Sequence, residues 1–441
     1  MAGSPATQSA GAPVPFVTAQ PALAAWAWQR ASELLVPAAG LADVVAQASA
    51  PVQDHLLSTV LQSLPWHDGS ATFQLPESGH VAGLLALQPW LQHQQAHPAR
   101  EQLRHHADRL RAQLVGETVT YVVNRNINVS NHCIKHCSFC AFRRDPGRPG
   151  AFWLSRDALQ QKAREAQQRG ASELCVQGGL NPAATLGGSH LAYAEAVLQD
   201  LLAAAPGIHL HAFSPQELLY IAESDGLPLA VVVQRLRQAG LASVPGTAAE
   251  VLSEPLRQVL CPEKLSARSW VAVMLEVQAQ GLPATSTLMA GHIESTADQA
   301  AHLLTLLQIQ RHAFEQGQPG FSEFVLLPFV GQQAPAPLRQ RVGRDQPDLQ
   351  AMLVLTAMAR LVLGPWIRHH QPSWVKLGLA GATEALRWGA DDLGGTLMEE
   401  HITTMAGASG GTNQDPASLE AAADSCGRPV RRRTTTYGVG A

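Results

Sequence analysis

Three of the chain's six cysteines, Cys133, Cys137 and Cys140, fall within the eight-residue run C-I-K-H-C-S-F-C. Cys175, Cys261 and Cys426 are scattered. A disulfide framework belongs to short, secreted, cysteine-dense chains, and this chain has 441 residues. Clustered thiols in a reducing compartment bind metal or exchange electrons instead, and three chemistries compete. Zinc takes four ligands in a closed tetrahedron. His132 or His136 offers a fourth, but no second Cys-x2-Cys or His-x3-His partner stands nearby. A redox dithiol of Cys137 and Cys140 expects a thioredoxin-like surrounding. An iron–sulfur cluster fits the spacing best, because thiolates hold such clusters and three of them leave one iron of a 4Fe-4S cubane open as a Lewis acid. The scattered cysteines read as small buried hydrophobes.

Three convergent thiols need a rigid loop, and the surrounding elements supply one. Residues 1–20 are Ala, Pro, Ser, Gln and Gly with little else and read as disordered. Residues 21–115 read as helical. E-T-V-T-Y-V-V-N-R-N-I-N-V-S then reads as a strand, Thr118 to Val129, ending just before the thiols. A helix capped by Ser155 and stopped at Gly170 follows. Strand and helix signals alternate from there, through E-L-C-V-Q-G-G, I-H-L-H-A-F-S-P, A-T-S-T-L-M-A-G-H and F-S-E-F-V-L-L-P-F. About six strands between helices imply an α/β fold with a parallel sheet, as a barrel or a doubly wound sheet. Polar and Gly-rich clusters follow the strands, where both architectures bind ligands, which suggests one shared site.

The composition allows a sizeable core: 46% hydrophobic and 15% charged. A formal charge of −4 gives no sign of bulk phosphate binding, so nucleic acid is not expected as a partner. No apolar run reaches the ~18 residues needed to cross a bilayer. The first positive residue is Arg30, so a secretory leader is not expected, and the expected location is the cytoplasm.

Cys133, Cys137 and Cys140, placed after the first strand of a βα array, resemble the signature of radical S-adenosylmethionine enzymes. The resemblance implies a partial (βα)6 TIM-type barrel. It also implies a 4Fe-4S cluster on the three cysteines, whose open iron takes the amino and carboxylate groups of S-adenosyl-L-methionine. Phe139 matches the family's aromatic near the adenine. Gln177, Gly178 and Gly179 match its Gly-rich segment against the methionine amino group, where bare backbone allows close approach. The stretches N-R-N-I-N-V-S-N-H-C, V-Q-G-G-L-N-P, H-A-F-S-P-Q-E, P-G-T-A-A-E and M-A-G-H-I-E are similar to the subgroup comprising the second half of FO synthase, aminofutalosine synthase and the cyclic futalosine-forming enzyme. S-W-V-K-L-G, Asp391 to Ala408 and G-R-P-V-R-R-R-T-T-T-Y look like the FO synthase half. This implies cleavage of the Cα–Cβ bond of L-tyrosine and transfer of its 4-hydroxybenzyl group to 5-amino-6-(D-ribitylamino)uracil. The implied partners are a low-potential electron donor and a second radical enzyme that closes the deazaflavin ring. The chain carries one cluster motif, as a stand-alone subunit would.

Expected domains are a disordered start (1–20), a helical region (21–115), the barrel (116–340), an extension over its mouth (341–426) and a basic tail (427–441). Within the barrel, His211, Ser214 and Glu217 at the third strand are placed to contact ligand. Thr285 and Thr287 share a strand face within reach of a ribose. His211, His292 and Glu294 are candidate bases by position. Asp391 to Ala408 is a candidate cover, with Gly394–Gly395 as a bend. Of the adjacent carboxylates Asp391–Asp392 and Glu399–Glu400 only one of each pair is expected to point inward, with a solvated face as the usual explanation; His105–His106 and His369–His370 read as surface histidines, and Arg428, Arg431, Arg432 and Arg433 as a solvated tail.

Overall fold

The computed structural model describes residues 21–48, 53–66, 73–93 and 96–439. The expected disordered start lies outside them. Among the described residues nine strands are formed: β1 (Val119–Val122), β2 (Asn124–Asn128), β3 (Glu173–Gln177), β4 (His209–Ala212), β5 (Ala284–Ala290), β6 (Phe321–Pro328), β7 (His369–Pro372), β8 (Asp392–Gly395) and β9 (Val430–Arg432).

The parallel pairs β2–β3 and β3–β4 start the array. Residues 243–244 bridge β4 to β5 through His211–Ser243 and Val244–Ala284. β5 and β6 continue it in parallel, giving six strand positions with helices between them. This is the expected (βα)6 unit. β5 is buried along its whole length, as a strand covered on both faces must be.

The extension completes the ring. β7 pairs in parallel with β6, and β8 pairs in parallel with β1, which runs on into β2. The Asp391 amide donates to the His370 carbonyl at 3.2 Å and links β7 to β8. The single strand expected from Thr118 to Val129 is therefore two. Its first half pairs with the extension and its second half with β3, and the break falls at Val123. Gly394 and Gly395 are not a bend in a cover but part of β8. A Cβ on Gly395 would lie 2.1 Å from the Asn124 side chain, and one on Gly394, at φ +75°, 2.3 Å from Gln371. Both glycines let β8 close against its neighbours.

Of the expected solvated tail Arg431 is exposed and Arg432 half-buried, but Arg428 and Arg433 are buried. β9 pairs in parallel with β1, and the Arg433 amide donates to the Tyr121 carbonyl at 2.8 Å. Arg433 is buried and ion-paired with Asp392 and Glu323. Its guanidinium lies 4.2 Å from the ring centroid of Tyr437, whose hydroxyl donates to Glu323. Thr435 donates to Glu173 at 2.7 Å. Glu173, Asp392 and His369 begin their strands and Glu323 stands third in β6, so residues 433–437 cross the N-terminal end of the barrel and floor it. Asp391, Asp392, Glu400 and His370 are likewise buried rather than solvated. Asp391 holds Arg360 at 2.6 Å and His369 at 2.7 Å. His106 is half-buried, its Nδ1 2.8 Å from the Gln102 carbonyl. These charges are buried because each has a partner: Arg360 and His369 for Asp391, Arg433 for Asp392, and the Thr403 and Thr404 amides for Glu400.

The N-terminal helices wrap the outside. Helix Ala25–Leu34 lies along Ala267–Ala279: the Ala24 amide donates to Glu276 at 2.8 Å and Arg268 stacks 3.9 Å over the Trp28 ring. Trp66 donates to the Leu361 carbonyl at 2.8 Å. Among the described residues no helix is long and apolar enough to cross a membrane.

Candidate active site

A cavity of about 410 Å³ fills the barrel, within the size range of small-molecule sites. The Cys133–Cys140 loop, which follows β2, forms one end of its lining, and all three thiols are half-buried and free of disulfides. The loop is pinned from three sides. The Ile134 amide donates to the Leu180 carbonyl at 3.1 Å, Ser138 donates to the Leu260 carbonyl at 2.6 Å, and Arg143 donates to the Cys133 carbonyl at 3.2 Å. Among the described residues no three His, Cys, Asp or Glu groups converge to hold a single metal ion. A donor set of three soft thiols spread around a cavity suits an iron–sulfur cluster better than one ion.

Burial pushes the Cys137 thiol up to about 12, with the Lys264 ammonium pulling the other way. Lys264 also lies 5.2 Å from the Phe139 ring centroid and donates to Glu250 at 2.6 Å. Burial alone would neutralise this pair, but each charge holds the other: the lysine's pKa is raised and the carboxyl's lowered. Glu250 sits at φ 48° and Ala248 at φ 67°, in the left-handed region. The buried Arg257 fixes that loop by donating to the Ala249 carbonyl at 2.5 Å and the Ala248 carbonyl at 3.1 Å.

Phe139, Gln177, Gly178, Gly179, His211 and Ser214 all line the cavity, and so do Glu217, Thr285 and Thr287. Several also serve the packing and hydrogen bonding of the barrel itself. Gly179 is required by packing. A Cβ there would lie 2.2 Å from the His132 carbonyl and 2.9 Å from the Cys133 Cβ, so the glycine lets β3's end pack on the thiol loop. The Gly178 amide donates to Glu217 at 2.9 Å. Glu217 also accepts from the Ser214 amide at 2.7 Å and hydroxyl at 2.6 Å, closing a capping box on helix Pro215–Asp225. Burial raises its pKa against those bonds. Thr285 accepts from the Gly246 amide and Thr287 donates to the Gly246 carbonyl, both at 2.8 Å, so the two hydroxyls clamp the chain after residues 243–244 to β5.

His211 is buried, with Nδ1 2.7 Å from the Ser243 hydroxyl, which His209 Nε2 also meets at 2.7 Å. Burial holds His211 down to about 4 although Glu173 attracts its proton, so the ring is neutral at pH 7. His292 and Glu294 do not reach the cavity. Glu294 accepts from the Gly291 and His292 amides at 2.6 and 2.9 Å and from Gln299 at 3.0 Å, and its Oε2 lies 3.0 Å from His292 Nδ1. Burial would raise its pKa, but these partners hold it down to about 2. The pair organises the turn after β5.

Other lining residues carried no expectation. Asn124, Asn126 and Asn128 alternate along β2 and face inward together, a pattern that period-2 reasoning exposes. Asn124 donates to Glu173 at 2.7 Å and accepts from the Leu397 amide at 2.8 Å, tying the barrel to residues 396–408. Of the expected cover, Leu397, Glu400, Ile402, Thr403 and Ala406 line the cavity. Lys376, from the extension, lines it as well.

Residues 127–307 match the radical SAM superfamily and residues 318–439 the CofH/MqnC C-terminal region. The chain is 57% identical over 337 residues to the 5-amino-6-(D-ribitylamino)uracil–L-tyrosine 4-hydroxyphenyl transferase of Cyanothece sp., spanning 76% of this chain and 88% of that protein. The like-named protein of Synechocystis sp. is 54% identical over 338 residues, spanning 76% and 86%. Among solved structures, methylornithine synthase PylB is similar at TM-score 0.61 and 16% identity, covering 86% of this chain and 97% of that one. The FeFe-hydrogenase maturase HydG from Carboxydothermus hydrogenoformans is similar at 0.67 and 12%, covering 93% and 86%. At such identities these two support the barrel alone.

Proposed function

The chain belongs to the radical SAM superfamily and, within it, to the family of 5-amino-6-(D-ribitylamino)uracil–L-tyrosine 4-hydroxyphenyl transferases, and from that premise we propose how its cavity serves the reaction. The enzyme transfers the 4-hydroxybenzyl group of L-tyrosine, after Cα–Cβ cleavage, to 5-amino-6-(D-ribitylamino)uracil, a step toward the deazaflavin chromophore FO. Cys133, Cys137 and Cys140 would hold a 4Fe-4S cluster with one iron open to S-adenosyl-L-methionine. When bound, the pair supplies a one-electron cleavage that delivers a 5′-deoxyadenosyl radical.

The protein's own part is containment and orientation. A primary alkyl radical reacts with most C–H bonds, so tyrosine must be held close and stray groups kept away. The tail closes the cavity below through Arg433, Asp392 and Glu323, and residues 397–406 line it from the extension. His211 is neutral at pH 7, because burial depresses its basicity, and its ring hydrogen-bonds Ser243. Lys264 and Glu250 fix Phe139 and the Cys137 end of the loop. A low-potential electron donor and a second radical enzyme that closes the ring complete the reading.

The observation that carries it is the thiol loop opening into the same cavity that the CofH-type extension lines. The test is anaerobic: iron and sulfide reconstitution, then dithionite, S-adenosylmethionine, L-tyrosine and the ribitylaminouracil, with products followed by mass spectrometry. Deoxyadenosine together with the 4-hydroxybenzyl adduct is expected. Deoxyadenosine with a menaquinone-pathway substrate, and none with tyrosine, would overturn the assignment.

A further inference from the structure

The charged groups lining the cavity are almost all satisfied. Lys264 is paired with Glu250, and Arg433 with Asp392 and Glu323. Glu173 accepts from Asn124 and Thr435, Glu217 from Gly178 and Ser214, and Glu400 from the amides of Thr403 and Thr404. Arg143 is held by Asp145. Two ammonium groups make no hydrogen bond or ion pair with the described residues: Lys135, within the thiol loop itself, and Lys376, on the extension.

Lys376 is held rigidly in place. It lies in the first turn of Trp374–Leu386, before Gly378 breaks the helical path at φ 71°. The buried Trp374 donates to the Gly395 carbonyl at 2.9 Å and fastens that turn to the end of β8. The Gly410 amide donates to the Val375 carbonyl at 3.0 Å, and a Cβ on Gly410 would lie 2.2 Å from the Trp374 carbonyl, so the loop behind is tightly fitted. A half-buried cation on so fixed a support is a site awaiting an anion. The ribitylaminouracil offers none. S-adenosylmethionine and tyrosine each offer one carboxylate, and the first belongs beside the thiol loop, where Lys135 stands. The extension's cation is left for the second.

We propose that the Lys376 ammonium anchors the α-carboxylate of the amino-acid substrate and so sets where its Cα–Cβ bond lies in the cavity. Lys376 is a substrate-positioning group, and the assignment rests on the tyrosine reading above. Glu400 and Glu250 act on the Lys376 ammonium through space, but neither makes an ion pair with it, and their oxygens are engaged by the Thr403 and Thr404 amides and by Lys264.

The experiment compares wild type, K376M and K376R, each reconstituted and matched for iron content and melting temperature. Equilibrium binding of L-tyrosine and of tyramine, which lacks the carboxylate, is measured with S-adenosylmethionine bound. Wild type prefers L-tyrosine. K376M loses that preference through a roughly 10- to 100-fold weaker Kd for L-tyrosine with tyramine little changed, and K376R recovers part of it. In turnover, KM for tyrosine rises while the affinity for S-adenosylmethionine holds. An unchanged L-tyrosine to tyramine ratio in K376M, or a loss confined to S-adenosylmethionine, would overturn the proposal. A wild type that neither binds nor converts tyrosine would instead overturn the assigned reaction.

Discussion

Replacing Gly179 by alanine adds one methyl carbon at the point where β3 meets the thiol loop. That carbon would stand 2.2 Å from the His132 carbonyl oxygen and 2.9 Å from the Cys133 Cβ, where real contacts stay beyond 3.0 Å. The loop start must move by about 0.8 Å, because backbone cannot rotate away as a flexible side chain would. Overpacking of this kind costs about 1–3 kcal/mol of stability. A displacement of about 1 Å at a reacting centre costs on the order of 100-fold in rate. Gly178 is the internal control, since its Cβ would meet the Ser130 carbonyl at 3.3 Å and needs only a few tenths of an ångström. The expected G179A protein is folded, binds clearly less iron and sulfide per chain after reconstitution, and forms deoxyadenosine about 100-fold more slowly. G178A stays much closer to wild type. Iron and sulfide analysis, the absorbance near 400 nm and a thermal melt read this out. A G179A protein with full iron content and wild-type turnover would refute the packing argument.

His302 is buried, accepts from the Leu252 amide at 3.1 Å, and has Nε2 2.9 Å from the Thr287 carbonyl, so burial holds it down to about 3. Between its ordinary value near 6.5 and 3 the unfolded chain binds the extra proton, so stability falls as pH falls. This one group removes about 2 kcal/mol between pH 7 and pH 5, and urea midpoints at the two pH values should show a slope that H302Q flattens; equal slopes would contradict it. R433M leaves Asp392 and Glu323 buried without their cation and should cost about 3–5 kcal/mol in denaturant unfolding, whereas a solvated tail residue would cost almost nothing. T287V removes only the bond to the Gly246 carbonyl. It should lower stability by about 1 kcal/mol and leave KM for every substrate unchanged, and a selective rise in one KM would restore a ligand-binding role.

The thiol loop and the six-strand array were legible because both are local. Cysteine spacing is written in eight residues, and each βα unit carries its own hydrophobic period, cap and stop. What was not legible depends on distant partners. Arg433 reads as solvated until Asp392 and Glu323 come to it, and Asp391 until Arg360 does. Thr285 and Thr287 face inward as alternation requires, but Gly246, supplied by a short segment with little strand signal, takes their hydroxyls. His292 and Glu294 follow a strand end as site residues do, and their atoms are used by the turn that carries them. Lys376 is one lysine in a helical stretch, and only the ring closure by β7 and β8 turns it toward the cavity.

The carbon fate of tyrosine tests the central claim most directly. L-tyrosine labelled with ¹³C at Cβ in one sample and at Cα in another is turned over anaerobically with the ribitylaminouracil and S-adenosylmethionine. The account predicts the Cβ label in the uracil adduct and the Cα label in a separate two-carbon fragment. Both labels together in one product, or neither in the adduct while deoxyadenosine accumulates, would contradict it.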